Sequence, residues 1–196
     1  AFIWMNGGGF VNEDETEFML EDPRSVEALQ FFVDLIHKYE CTSLNFMSKP
    51  EAFATGRAAY QIGGPWDISN LKVLAPDMEL GAFLIPPKEK GGPIYVDNSP
   101  WVWVVSNNST RKAQGYDFIQ HIQTKEAQMH FAIEYGITPY RYDALQDPFF
   151  KNNPVQAVFA KSNKYIHMRP RIWWYEICRM LGLQFEMALL KMKTPL

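Results

Sequence analysis

The sequence predicts an α/β fold, and three observations predict it. Asp22-Pro23 precedes Val26, Leu29, Val33 and Ile36 at helical spacing, an N-cap and a first-turn proline ahead of one apolar stripe. A short apolar run, Ala58 to Ile62, stops at Gly63-Gly64-Pro65 and gives way to a helical segment, a strand, loop, helix unit. Further strand-like and helical segments follow in alternation, and the second half is mostly helical.

Taken in order, the first helix is expected at about 22 to 40, and a short one near Pro50 to Thr55 ends at Gly56. A strand follows at Arg57 to Ile62, then the Gly-Gly-Pro-Trp loop, then a helix from about Asp67, whose carboxylate can cap it. A second strand, Glu79 to Ile85, ends in Pro86-Pro87. Gly91-Gly92-Pro93 marks a long turn before a third strand, Pro100 to Val105. Ser109 is positioned to cap a helix carrying Ala113, Tyr116, Ile119 and Ile122. Thr124 opens another that reaches Tyr135 and closes on Gly136. The loop GITPYRYDAL then precedes helices near Pro154 to Ser162 and Arg171 to Lys193.

Composition bounds the function. The 196 residues are 47% hydrophobic and 21% charged, enough for one large core or two small lobes. The formal net charge is -3 and no window collects five or six Lys/Arg, so the basic footprint of a nucleic-acid or membrane-surface binder is missing. No apolar run approaches the roughly 18 residues of a membrane-spanning segment. The opening AFIWMNGGGF has no basic leader, and the chain reads as if cut from something longer. Cys41 and Cys178 form no CxxC, which leaves one disulfide or two buried thiols.

Aromatic residues make up 15% of the chain, with tryptophans at 4, 66, 101, 103, 173 and 174. Trp66 is the most informative, because it follows Gly63-Gly64-Pro65 at the expected carboxyl end of a strand. In an open α/β sheet ligands lodge in the crevice there. Glycines allow close backbone approach, Pro65 stiffens the loop, and an indole offers a flat apolar face suited to a pyranose. Packing of Trp66 into the core beside the next helix is the alternative.

The blocks WMNGGGF, DPRSVEALQFFVDLIHKY, FATGRAAYQIGGPWDISNL and YDFIQHIQTKEAQMHFAIEYGITPYRYDAL, in this order and spacing, resemble the family 1 extracellular solute-binding proteins that serve sugar ABC importers, the maltose-binding-protein-like group. The resemblance implies a periplasmic-binding-protein-like two-lobe fold, of which this chain matches the later half. Residues 1–97 and 149–196 would belong to the second lobe and 98–148 would cross back to the first. A part of this kind would leave some sheet edge unpaired. It also implies capture of a sugar or oligosaccharide by domain closure and delivery to ABC transporter permease subunits. The expected location is periplasmic or extracellular, with any signal peptide or lipid anchor lying upstream of residue 1.

Ligand-binding residues follow from the resemblance position by position. Trp66, with Gly64 and Pro65, matches the stacking aromatic of the Gly-x-Trp motif, which favours ligand contact. Asn6, Gly7 and Gly8 match an Asn-Gly-Gly turn beside the cleft, though a plain turn explains them equally well. Trp174, in RIWWYEICRM, matches an aromatic that stacks on the sugar from the opposite side, although its apolar helix would bury an aromatic anyway. Arg141 matches a Pro-x-Arg whose planar fork donates to adjacent hydroxyls, and a solvated arginine is the alternative. Where many relatives carry Gly-Gly before the returning strand, this chain has Asp97 and Asn98, polar groups able to meet hydroxyls.

Catalysis is not expected. Hydrolysis of a glycoside needs two carboxylates at a fixed separation, and the cluster Glu13, Asp14, Glu15, Glu17 reads as a solvated hairpin turn. His37, His121, His130 and His167 have no metal-ligand spacing, and no GxSxG, phosphate loop or dinucleotide fingerprint occurs. Neither a cofactor nor a metal is implied. The runner-up functions are a ligand sensor that reports to a receptor and, less well supported, a carbohydrate-active enzyme.

Overall fold

The computed structural model describes residues 1–46, 49–98 and 102–192. In chain order the elements are α1 (Phe2–Met5), α2 (Pro23–His37), α3 (Lys49–Ala54), α4 (Trp66–Leu74), β1 (Val96–Asn98), α5 (Lys112–Ile122), α6 (Lys125–Tyr135), α7 (Tyr142–Leu145), α8 (Pro148–Asn152), α9 (Pro154–Ser162), β2 (Ile166–Met168) and α10 (Trp174–Leu189), with a 3-10 turn at Asn163–Tyr165. Two compact units result, one from Ala1–Phe46, Ile85–Ser99 and Tyr165–Leu196, the other from Met47–Leu84 and Pro100–Lys164. Both are discontinuous.

The first unit is built on α2. Asp22 accepts from the Arg24 N–H at 2.8 Å and Pro23 occupies the first turn, so the helix starts where the cap chemistry places it. Ala28 and Leu29 on its inner face join Ile3, Trp4, Phe10 and Ile177 in the core. α10 packs on α2, and near its end the Leu189 carbonyl lies 2.7 Å from His37 Nε2. β1 and β2 pair in parallel with Asp97 opposite His167 and Asn98 opposite Met168.

The second unit is helical. Thr124 Oγ1 accepts from the Ala127 N–H, and α6 ends at Gly136 with φ 71°, the left-handed cap that the glycine permits. α9 begins at Pro154 behind Asn153, whose side chain accepts from the Gln156 N–H. The buried Gln128 side chain on α6 accepts from the Tyr140 N–H, tying the returning loop to the helix.

Several expected elements differ. Arg57 to Ile62 and Glu79 to Ile85 form no β-ladder, nor do the described residues of the third expected strand, 102 to 105; Pro100 and Trp101 lie outside the described residues. β-propensity only becomes a strand when a neighbouring backbone supplies the hydrogen bonds. Tyr60 and Phe83 meet edge to face between the first two segments, centroids 6.0 Å apart. α4 starts at Trp66, one residue before the expected cap, and Asp67 instead accepts from the Gly64 N–H within the first turn. Ser109 accepts from the Arg111 N–H, which makes a turn ahead of α5 rather than its cap. α10 starts at Trp174, not Arg171. The two cysteines are not joined by a disulfide, and both are exposed rather than buried.

Candidate functional site

In the second unit the Gly-Gly-Pro-Trp loop is held from two sides. Asp67 grips it through the Gly64 N–H at 3.1 Å, and a Cβ placed on Gly64 would collide with the Trp66 indole. Gly64 is buried, so the missing side chain makes room for the protein's own ring. On the other side a Cβ on Gly136 would strike the Pro65 carbonyl, and Ser69 Oγ donates to the Glu134 carbonyl at 3.3 Å. The start of α4 thus sits on the end of α6, and Trp66 remains 59% exposed. It is not a core residue, although the strand expected before it is absent.

Arg141 is also exposed, but its fork is engaged. Nε and Nη2 donate to the two carboxylate oxygens of Asp143 at 2.9 and 2.7 Å, and Nη1 reaches the Gln123 carbonyl at 3.4 Å. Donation to Asp143 pushes the guanidinium pKa up, and the same bonds pull the Asp143 carboxyl down. Gln123 precedes α6 whereas Gly136 follows it. The anchor points of Arg141 and Trp66 therefore lie at opposite ends of an 11-residue helix, about 16 Å of axial rise. The structure does not bring these two side chains together.

The first unit holds the remaining candidates. Asn6 Nδ2 donates to the Arg24 carbonyl at 2.7 Å and to Glu27 Oε2 at 2.8 Å, and Lys88 Nζ holds the other Glu27 oxygen at 2.7 Å. The bond from Lys88, and then that from Asn6, pull the Glu27 carboxyl below its usual range. Gly7 has φ 80°, and Gly8 lies against the fully buried Ser25, whose backbone N would be only 2.8 Å from a Cβ there. The turn thus seats the first turn of α2. Asp97 and Asn98 contribute backbone to β1; their side chains lie outside the description.

Trp174 is half-buried. It meets Phe10 edge-on at 5.3 Å, and Arg169 lies over its ring at 5.1 Å. Phe10 in turn contacts Trp4, and Trp4 contacts His167 at 4.3 Å. This aromatic run joins the turn, β2 and the start of α10. Nothing local in the sequence points to it, because its members come from segments far apart in the chain.

Glu15 was likewise unreadable. Its side chain is largely covered, and its two oxygens accept from the Arg171 and Ile172 N–H groups at 3.1 and 3.0 Å. These backbone donors hold its carboxyl below the usual glutamate range. The expected solvated hairpin residue is instead a tertiary latch. Among the described residues, no three His, Cys, Asp or Glu side chains form a group able to hold a metal ion, and no helix is long and apolar enough to cross a membrane.

With this geometry in view, the chain belongs to the bacterial extracellular solute-binding protein family, which it matches over residues 1–157. It is 27% identical over 170 residues to the maltotriose-binding protein of Pyrococcus abyssi (strain GE5 / Orsay), covering 84% of this chain and 37% of that one. Among solved structures it superposes on maltose-bound MalE3 of T. maritima with a TM-score of 0.85 at 23% identity, covering 99% of this chain and 52% of that chain. The maltose-maltodextrin binding protein of Alicyclobacillus acidocaldarius gives 0.84 at 16% identity, covering 99% and 54%. The fold is thus the α/β fold of the two-lobe maltose-binding type, and the chain spans about half the length of the solved relatives and 37% of the curated one.

Proposed function

We propose that the protein is the solute-binding component of an ABC importer, which captures a sugar or oligosaccharide between two lobes and delivers it to a membrane permease. The observation that carries this reading is Trp66, an exposed indole on a stiff Gly-Gly-Pro loop clamped by Asp67 and Gly136. A flat apolar ring held in place and left open is what a pyranose face requires. Membership in the solute-binding family and the maltotriose- and maltose-binding relatives support the ligand class.

In this reading Gly64 and Pro65 present Trp66, and Trp174 offers the part of its ring not covered by Phe10 and Arg169. Arg141 meets ligand hydroxyls after exchanging Asp143 for them, and Asn6, Gly7, Gly8, Asp97 and Asn98 line the cleft. Residues 1–97 and 149–196 form one lobe and 98–148 part of the other, so that the chain crosses between them more than once. Closure of the lobes on the ligand couples affinity to a hinge equilibrium. The protein works outside the cytoplasmic membrane, anchored by lipid or not, without a cofactor and without chemistry on the sugar.

Calorimetric titration of the full-length protein with maltose and maltotriose tests the reading. Saturable binding, with the saccharide recovered unaltered after long incubation, is expected. Absence of binding to any gluco-oligosaccharide overturns the ligand class, and cleavage of the saccharide overturns the binding-only role.

A further inference from the structure

Two side-chain oxygens among the described residues are shielded from solvent and have no hydrogen-bond partner, Gln61 Oε1 and Gln156 Oε1. A covered acceptor left unmet is costly, so each calls for a donor from outside the chain's own bonding. Gln156 is 3% exposed on the inner side of α9. Gln61 is only half-buried, stands in the same compact unit as Trp66, and leads into the Gly-Gly-Pro-Trp loop two residues before Gly63. Gly63 shows how that loop is arranged around the amide. A Cβ on it would collide with Asp67 Oδ2 and lie 3.2 Å from Gln61 Nε2, so the glycine leaves room for a carboxylate and an amide side by side.

The carboxylate attracts the NH2 end of the amide and repels its oxygen, which decides which end is which. Nε2 faces Asp67, and Oε1 is the end left without a partner. Asp67 Oδ2 also accepts from the Gly64 N–H at 3.1 Å, so the group that orients Gln61 is the one that clamps the Trp66 loop. One loop, 61–66, thus carries an open indole and an unmet acceptor. A pyranose offers the complement of that pair, an apolar face for the ring and hydroxyl donors around its edge. We infer that Gln61 is a specificity-determining residue of the saccharide site, its Oε1 accepting from a hydroxyl of the sugar stacked on Trp66. This rests on the sugar-binding reading above and adds to it the group that reads the hydroxyl edge. The oxygen has no bond to lose when the side chain turns out toward the ligand, and there it gains the donor it lacks. The ligand selected is a neutral saccharide with that hydroxyl free, since a sugar without it leaves the acceptor unmet.

The experiment uses the full-length protein, with maltotriose and its monodeoxy analogues as probes. Gln61→Leu keeps the approximate size of the side chain and removes the acceptor. It is expected to weaken maltotriose binding by about tenfold, the worth of one hydrogen bond made on binding. Its melting temperature without ligand should not fall, because an unmet acceptor has gone. One monodeoxy analogue, that without the hydroxyl Gln61 reads, should bind the variant and the parent alike. Gln156→Leu, which removes the other unmet oxygen, should keep the parent's affinity per folded molecule. Unchanged affinity in Gln61→Leu while Trp66→Ala loses it overturns the role of Gln61, leaves its oxygen to water and keeps the sugar reading intact. Unchanged affinity in both, with the parent binding maltotriose, overturns Gln61 and Trp66 together, and no binding by the parent overturns the sugar reading itself. An equal loss for maltotriose and every monodeoxy analogue overturns the hydroxyl contact, since the effect then comes through the loop. A lower melting temperature in Gln61→Leu with unchanged affinity per folded molecule makes the residue structural and overturns the inference.

Discussion

Gly136 lies so close under Pro65 that a β-carbon on the glycine would collide with the proline carbonyl. The same residue has φ 71° and closes α6. One glycine therefore ends one helix and seats the loop that presents Trp66 at the start of another. Only a residue without a side chain satisfies both demands.

Gly56 provides the control for this contact. It has φ 70°, but an added Cβ would meet nothing within 4 Å. Gly56→Ala is expected to cost only backbone strain, whereas Gly136→Ala should be destabilised by clearly more than about 1 kcal/mol and should also weaken sugar binding as the Trp66 loop shifts. Denaturant melts and ligand titrations of the two variants check this. Equal effects on both would remove the Pro65 contact from the account.

Asp22 gives a pH dependence with a definite sign. Donation from the Arg24 side chain, then from its backbone N–H, lowers the carboxyl pKa to about 2 from 3.8. The folded value lies below the unfolded one, so the ionised cap stabilises α2 in full only well above 3.8. That contribution is lost as the pH falls through the window from 3.8 to about 2. Asp22→Asn keeps a capping oxygen but not the charge, and its melting temperature should fall less steeply across that window than the parent's. Parallel profiles would show that the pairing with Arg24 is too exposed to matter.

Some of this was legible in the sequence for a physical reason. The starts of α2 and α6 follow from capping by Asp22 and Thr124, contacts made within a few residues. Strands need partners from elsewhere, so no local pattern marks β1 and β2, and the strand-like Arg57 to Ile62 has no ladder among the described residues. The site divides along the same line. Gly64, Pro65 and Trp66 form a contiguous motif, and the structure leaves its indole open as the motif suggests. The engagement of Arg141 by Asp143 was within two residues yet missed, because an arginine's competing partners are not ranked by spacing alone. The Glu15 latch joins segments far apart in the chain, and no local pattern encodes it.

The opening at Trp66 gives the sharpest test of the binding site. Its ring folds back over Gly64 yet remains 59% exposed, so little of the fold depends on it. Trp66→Ala in the full-length protein is expected to weaken saccharide binding by roughly 1 to 3 kcal/mol, by analogy with the stacking of bases on aromatics. Stability without ligand should stay within about 0.5 kcal/mol, as for other surface changes. A core tryptophan would instead cost about 3 to 5 kcal/mol of stability. Gly64→Ala separates position from presence: it keeps the indole but forces it off its seat, so affinity should drop although the aromatic surface is intact. Ligand titrations and thermal melts of both variants decide the matter. A large loss of stability with unchanged affinity per folded molecule would make Trp66 structural and leave the sugar without its platform in this unit.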